Sequence, residues 1–361
     1  MSTPDPRRAS PVRLAIAGLG LVGQRHADAI AQVAGATLCA VVDTGPQAGA
    51  EAARRGIPLF ADLDEMIAAE RPDGIILSTP TPLHAAQGLR CVAAGIPALI
   101  EKPLADDLDA ARDLVEQAEA ANVPLLVGHH RRHNPLIRQA KALIDAGQIG
   151  TVRAVQATCW FYKPDAYFDA APWRKLRGAG PISVNLVHDV DLIRHLCGEV
   201  VSVQAQAAPS QRGFENEDVA AALLTFDTGA IGTITVSDSI VAPWSWEMTS
   251  REYPVYPATG QSAYQIGGSH GSLSIPDLTV WSHGAVRDWW TPISATSVPQ
   301  SASDPLVNQI AQFVAVIAGT ETPLVSGREG LRSLAVVDAI QASARTGQTV
   351  QLRPRAEADR S

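Results

Sequence analysis

The chain has 361 residues, 46% of them hydrophobic, and a formal net charge of -8. A single hydrophobic core does not fill that length, so two domains are expected. The acidic balance leaves no basic stripe for a phosphate backbone, and nucleic acid is not an expected partner. Cys39, Cys91, Cys159 and Cys197 are too dispersed for a disulfide framework or a paired zinc motif. The first apolar run is broken by Gly18, Gly20 and Gly23, too early for a signal or membrane helix, and a reducing cytoplasm is the expected location.

From Val12 to Gly128, short apolar runs alternate with Ala-rich amphipathic stretches, the pattern of βαβ units on a parallel sheet. The runs are Arg13–Ala17, Leu38–Val42, Gly74–Ser78, Ala98–Ile100 and Pro124–Val127. Helices are expected at about Val22–Ala34, Pro46–Arg55, Leu63–Ala69, Thr81–Ala94 and Leu108–Ala121, where apolar residues recur at three- and four-residue spacing.

After the first run stands Gly18-Leu19-Gly20-Leu21-Val22-Gly23. The first glycine permits a tight turn, the second admits a pyrophosphate to the backbone, and the third lets helix meet strand. Leu21 and Val22 open the helix whose N-terminus attracts phosphate charge. The second run ends in Asp43, placed to hold a ribose 2′-hydroxyl, and Thr44-Gly45-Pro46 offers no arginine for a 2′-phosphate. A glycine turn alone would be weak; with this strand, helix and carboxylate it indicates NAD in preference to NADP. In the loop Ser78-Thr79-Pro80-Thr81-Pro82-Leu83-His84, residues Thr79, Pro80 and His84 are expected neighbours of ribose and nicotinamide, against a plain proline-stiffened turn.

The run Ala98–Ile100 ends in Glu101-Lys102-Pro103, which sets Glu101 and Lys102 at the carboxyl edge where such sheets bind ligands. Lysine is scarce, with Lys102, Lys141, Lys163 and Lys175 the whole set against 25 arginines, so each draws notice. Lys102 can donate to a substrate oxygen or relay its proton, especially if burial lowers its pKa.

Beyond Gly128 the pattern changes to a polar HHRRHNP stretch, then a helix at about Pro135–Ala146. Longer β-type segments follow at Val152–Phe161, Val200–Ala207, Val219–Asp227, Ala230–Ser239 and Ser272–Pro276. Two closing helices are expected at about Asp304–Ala318 and Arg328–Ala344, and the tail after Arg353 is expected to fray. The expected architecture is thus α/β: an N-terminal Rossmann doubly wound parallel sheet over residues 1–128, and an α+β domain with a large, mostly antiparallel sheet over 129–361.

Gly178-Ala179-Gly180-Pro181 leads into Ile182–Leu196, with apolar residues at Val184, Val187, Val190, Ile193 and Leu196. This is an amphipathic helix on which Asn185 stands one turn before His188, beside Asp189. Hydride removal from a secondary alcohol needs a base for the hydroxyl proton, and a histidine titrates in the right range. The competing reading makes His188 and Asp189 a structural hydrogen-bonded pair. His130 and Arg131 follow the last strand of the first domain and are expected near the cleft, where Arg131 could meet a substrate carboxylate or an acidic side chain. The aromatic, proline-rich stretch from Pro243 to Gly268 reads as a lid or an interface arm. No metal is expected; His129, His130 and His133 fit the polar motif more simply.

GLGLVG, EKP at 101–103, GHHRRHNP at 128–135, PWR at 172–174 and GAGPISVNLVHDVDL at 178–192 resemble, in that order, the motifs of the Gfo/Idh/MocA family of glucose-fructose oxidoreductases and inositol dehydrogenases. The resemblance implies that Lys102 and His188 serve the substrate hydroxyl and converge on one oxygen. It also implies a substrate on one face of the second sheet and an oligomer contact, dimer or tetramer, on the other. Tyr162, Trp173 and Arg174 become pocket candidates. The family commonly has an aspartate one turn before the histidine; here that position is Val184, with Asn185 beside it. Asn185 bonds a hydroxyl but cannot act as a base. The expected function is an NAD-dependent dehydrogenase of a sugar, cyclic polyol or sugar acid. The alternatives are a dihydrodiol-type dehydrogenase on a carbocyclic acid and a non-catalytic NAD-dependent sugar sensor.

Overall fold

A computed structural model describes residues 10–352, so the expected fraying of the tail lies outside the described residues. The chain divides into two compact units, the first running to His133 and including Ser303–Leu334, the second comprising Asn134–Ala302 and the chain from Ala335.

The first unit holds β1 (Val12–Ala17), α1 (Leu21–Ile30), β2 (Ala36–Val42), α2 (Ala48–Arg55), β3 (Leu59–Phe60) and α3 (Leu63–Glu70). It continues with β4 (Gly74–Leu77), α4 (His84–Ala93), β5 (Ala98–Ile100), α5 (Leu108–Ala120) and β6 (Leu125–Val127). The six strands are parallel in the order β3-β2-β1-β4-β5-β6, which puts the reversal of strand order between β1 and β4, where doubly wound sheets bind their ligand. Strand β3 is only two residues long and half exposed, too short to show a period in the sequence.

Both sheet faces are covered. One packs on Leu114, Val115 and Ala118 of α5; the other takes Ile310 and Phe313 from the late helix α10 (Pro305–Ile317). Gly74 admits that helix, because a Cβ there would stand 2.5 Å from the Ile317 side chain. The sequence boundary near Gly128 therefore moves to His133, and residues 303–334 return to the first unit because the apolar stripe of α10 is what closes the exposed face of its sheet.

In the second unit, α6 (Pro135–Asp145), β7 (Val152–Trp160), α7 (Asp165–Asp169) and α8 (Val187–Cys197) precede β8 (Val200–Pro209), β9 (Glu217–Phe226) and β10 (Ile231–Ser237). Then come α9 (Trp246–Thr249), β11 (Tyr264–Gly268), β12 (Gly271–Ile275), β13 (Thr279–Ser282) and β14 (Ser294–Ser297). Helix α11 (Gly327–Thr346) ends in this unit, and β15 (Val350–Gln351) closes the sheet edge. The nine strands follow the order β14-β13-β12-β11-β7-β10-β9-β8-β15, antiparallel throughout except β7 with β10. Burial alternates along β9, as expected of a sheet with one packed face. The packed face meets Ile137 of α6, Val190 and Ile193 of α8 and Ile340 of α11, while Leu223 and Ile231 on the other face are exposed.

The stretch from Pro243 is anchored by Trp246, which is buried and stacked on Tyr264 with ring centroids 6.0 Å apart, while Val255 stays exposed. Among the described residues no helix is long and apolar enough to cross a membrane, and all four cysteines are free thiols.

Candidate functional site

The glycine loop is locked by backbone approaches that side chains would forbid. Gly18 adopts φ 90°, and a Cβ on Gly23 would lie 1.9 Å from the Gly18 carbonyl oxygen. Ser78 Oγ, at the end of β4, donates to that same carbonyl at 2.7 Å, tying the loop across the switch point. Gly20, by contrast, has nothing within 4 Å of an added Cβ, so its backbone faces open space at the N-terminus of α1. That is the geometry a pyrophosphate requires. Leu21 and Val22 are 76% and 41% exposed, two large apolar side chains on the rim of that opening.

Asp43 directly follows β2 and accepts the backbone N–H groups of Leu19 and Gly45, both at 2.6 Å. Its carboxylate thus braces the glycine loop and still has lone pairs for a ribose hydroxyl. The donor set, the open backbone at Gly20 and the carboxylate at Asp43 fit NAD.

Thr79 Oγ1 donates to Gln87 Oε1 at 2.6 Å, and Pro80 is exposed at the start of a short 3-10 turn. His84 is 1% exposed, with Nδ1 2.9 Å from the Pro103 carbonyl and Nε2 2.8 Å from the Thr79 carbonyl. Both ring nitrogens are therefore committed to backbone. His84 thereby links the Thr79 loop to the loop after β5.

Glu101 and Lys102 leave β5 at its carboxyl end, and the Lys102–Pro103 peptide is cis. Glu101 Oε1 lies 2.8 Å from Nε2 of the fully buried His26 on α1, and its Oε2 accepts the Lys102 N–H at 3.1 Å. Burial pushes this carboxyl up, but the His26 bond and the charges of His26, His130 and Lys102 outweigh it and hold the group down at about 2. Gly128 makes room for the same carboxylate, since a Cβ would stand 2.9 Å from it. The position of Lys102 is thus set by a helix that begins at the glycine loop. His26 escaped the sequence reading because a histidine inside a helix gives no sign of its distant partner.

In the short turn after β6, His130 is half-buried, Arg131 is buried, and Arg132 donates to Glu329 at 3.0 Å. No three His, Cys, Asp or Glu side chains among the described residues stand where they could hold a metal.

In the second unit the expected helix over Ile182–Leu196 begins instead as a π turn, Ile182–Leu186, before α8. Glu217 on β9 accepts the Ile182 N–H at 3.1 Å, through a space that a Cβ on Gly180 would fill. Such wide turns recur at functional sites, and no hydrophobic period announces them. His188 and Asn185 are both buried at this entrance. Asp189 is fully buried and accepts the Tyr264 hydroxyl, which ties α8 to β11.

Tyr162 and Trp173 are half exposed, with the Arg212 guanidinium 5.7 Å from the Tyr162 ring. Arg174 stacks on Tyr167 at 4.0 Å and donates to the Tyr167 carbonyl at 2.6 Å. The residue missed is Lys163, just beyond β7. It is 7% exposed, donates to Asn185 Oδ1 at 2.7 Å and lies 3.6 Å from Asp238. Burial lowers its pKa, against the opposing pull of Asp238. Its signal in the sequence was the scarcity of lysine.

A Rossmann sheet with this loop and carboxylate, followed by an α+β unit, defines an NAD-binding oxidoreductase. The chain belongs to the GFO/IDH/MocA oxidoreductase family: the family's NAD-binding Rossmann model matches residues 12–129 and its C-terminal domain model matches 137–274. D-apiose dehydrogenase of Paraburkholderia graminis is 28% identical over 94% of this chain and 89% of its own. Inositol 2-dehydrogenase of Rhodococcus erythropolis is 34% identical over 58% of this chain and 59% of its own. The WlbA dehydrogenase of Bordetella pertussis, solved with NADH and UDP-GlcNAcA, superposes with TM-score 0.77 at 28% identity over 95% of this chain and 99% of that one.

Proposed function

We propose that the protein is an NAD-dependent dehydrogenase that moves a hydride between nicotinamide and a secondary alcohol or ketone of a sugar, cyclic polyol or sugar acid. The observation that carries this is the Glu101–His26 bond, which fixes the residue before Lys102 to the helix of the cofactor loop. Gly18, Gly20, Leu21, Val22, Gly23, Asp43, Thr79 and Pro80 hold the dinucleotide, with His84 and Glu101 behind them. NAD supplies the hydride acceptor. Lys102 donates to the substrate oxygen, and His188 takes the hydroxyl proton; Asn185, Arg174, Tyr162, Trp173, His130 and Arg131 are the substrate's neighbours. Similarity to relatives named for D-apiose and inositol, and to a structure holding a UDP-linked sugar acid, supports that range of substrates. The exposed apolar residues Leu223 and Ile231 on the open sheet face support a homo-oligomer.

The test is NADH absorbance during a screen of aldoses, polyols and sugar acids, with Lys102→Ala alongside. Turnover that disappears in the variant while NAD affinity is kept supports the reading. If no compound turns over although NAD and a sugar both bind, the chain is a sensor and the dehydrogenase reading fails.

A further inference from the structure

We infer that Lys163 fixes the Asn185 amide so that its NH2 group addresses the substrate, and that the site thereby selects a substrate bearing a carboxylate. The inference rests on the proposed substrate site around His188 and narrows it from sugars and polyols in general to their acids.

The orientation of an asparagine amide is ordinarily ambiguous, because oxygen and nitrogen look alike and only the partners decide. Here the partner decides without ambiguity. A lysine ammonium has three donors and no acceptor, so the Asn185 atom 2.7 Å from Nζ is the carbonyl oxygen. The ammonium is itself held. Asp238 stands 3.6 Å away, and the Tyr167 and Phe161 rings lie 5.0 and 5.7 Å from Nζ. Arg212 braces the assembly by donating to Asp238 Oδ1 at 2.9 Å and to the Lys163 carbonyl at 3.1 Å. A buried, braced lysine cannot swing aside and let the amide turn.

With its oxygen committed, Asn185 has only its two N–H donors to offer, and its Nδ2 makes no hydrogen bond among the described residues. Asn185 also lies on the π turn that leads directly into the helix of His188, one turn before that residue, so the proposed reacting group and these donors share one stretch of chain. Donors whose own carbonyl is polarised by an ammonium bind best to a charged acceptor. A neutral hydroxyl satisfies such a donor less well than a substrate carboxylate oxygen, which accepts it as a charge-assisted bond. Lys163 is in this sense a positioning residue: it acts on the substrate through Asn185.

The experiment separates binding from turnover. Calorimetric titrations with NAD present compare matched pairs, D-gluconate with D-glucitol and D-glucuronate with D-glucose, in the wild type, Asn185→Asp and Lys163→Met. The acid of at least one pair is expected to bind about tenfold more tightly than its neutral partner. Asn185→Asp pairs its new carboxylate with Lys163, keeps the fold, and reverses that preference by repelling the acid. Lys163→Met frees the amide and shrinks the preference without changing NAD affinity. Neutral partners binding as well as acids in the wild type, no binding of either class, or a preference unchanged in Asn185→Asp would each overturn the inference. Because the readout is binding, loss of turnover alone refutes the dehydrogenase reading and leaves this inference to its own result.

Discussion

The pair formed by His26 and Glu101 gives the sharpest test of the packing argument. The carboxyl is carried from its ordinary 4.5 to about 2, and a shift of that size corresponds to on the order of 3 kcal/mol of stability. Because the folded value is depressed, this contribution is present above pH 4.5 and is lost as the pH falls from 4.5 through about 2. His26→Ala removes the bond that outweighs burial, so burial then drives the Glu101 carboxyl upward. The variant should lose about 3 kcal/mol at neutral pH, as expected when one member of a buried pair is removed. That deficit should shrink as the pH falls, because the raised Glu101 carboxyl takes up its proton more readily in the folded variant than in the unfolded chain. Since the alanine also leaves a cavity, the pair is isolated by a double-mutant cycle with Glu101→Gln, in urea, at pH 7 and pH 4. A coupling energy of about 1.5 kcal/mol or more is expected at pH 7. Coupling below roughly 0.5 kcal/mol, with a deficit in His26→Ala that does not change with pH, would refute the reasoning.

Three further outcomes follow from the same geometry. Gly23→Ala gains helix propensity of about 1 kcal/mol but forces a Cβ into the Gly18 carbonyl 1.9 Å away, so a net loss of about 2 kcal/mol and weakened NAD binding should appear in thermal unfolding and fluorescence titration. The wild type should prefer NAD over NADP by at least about tenfold in kcat/KM, and Asp43→Ala should narrow that ratio while loosening the loop whose Leu19 N–H it holds. Equal use of the two cofactors by the wild type would contradict the role given to Asp43. Burial pushes the Cys91 and Cys197 thiols up to about 12, so both should resist alkylation at pH 8 in the folded protein and react once urea is added.

The motifs that bind the dinucleotide were legible because their partners are close in sequence. A strand, a glycine turn and a helix within thirty residues form one unit, and Asp43 follows at a distance the βαβ geometry imposes. The place of Lys102 just beyond a strand end was legible for the same reason, since a short apolar run stops there before a proline. What lay outside local pattern was not. Strands β3, β14 and β15 have two to four residues, too few for a period of two to show. The π turn over Ile182–Leu186 breaks no hydrophobic spacing, so the sequence reads as unbroken helix.

Sequence by itself determined the two architectures and the cofactor class, since these follow from alternation, spacing and side-chain type. Only the tertiary structure decided which side chains meet. It brought α10 back from beyond residue 300 to cover the first sheet, joined His26 to Glu101 across 75 positions, turned Asp189 toward Tyr264, and set Lys163 against Asn185. The physical reason is that a buried charge or amide must find its partner wherever packing delivers one, and the distance along the chain does not enter into that requirement.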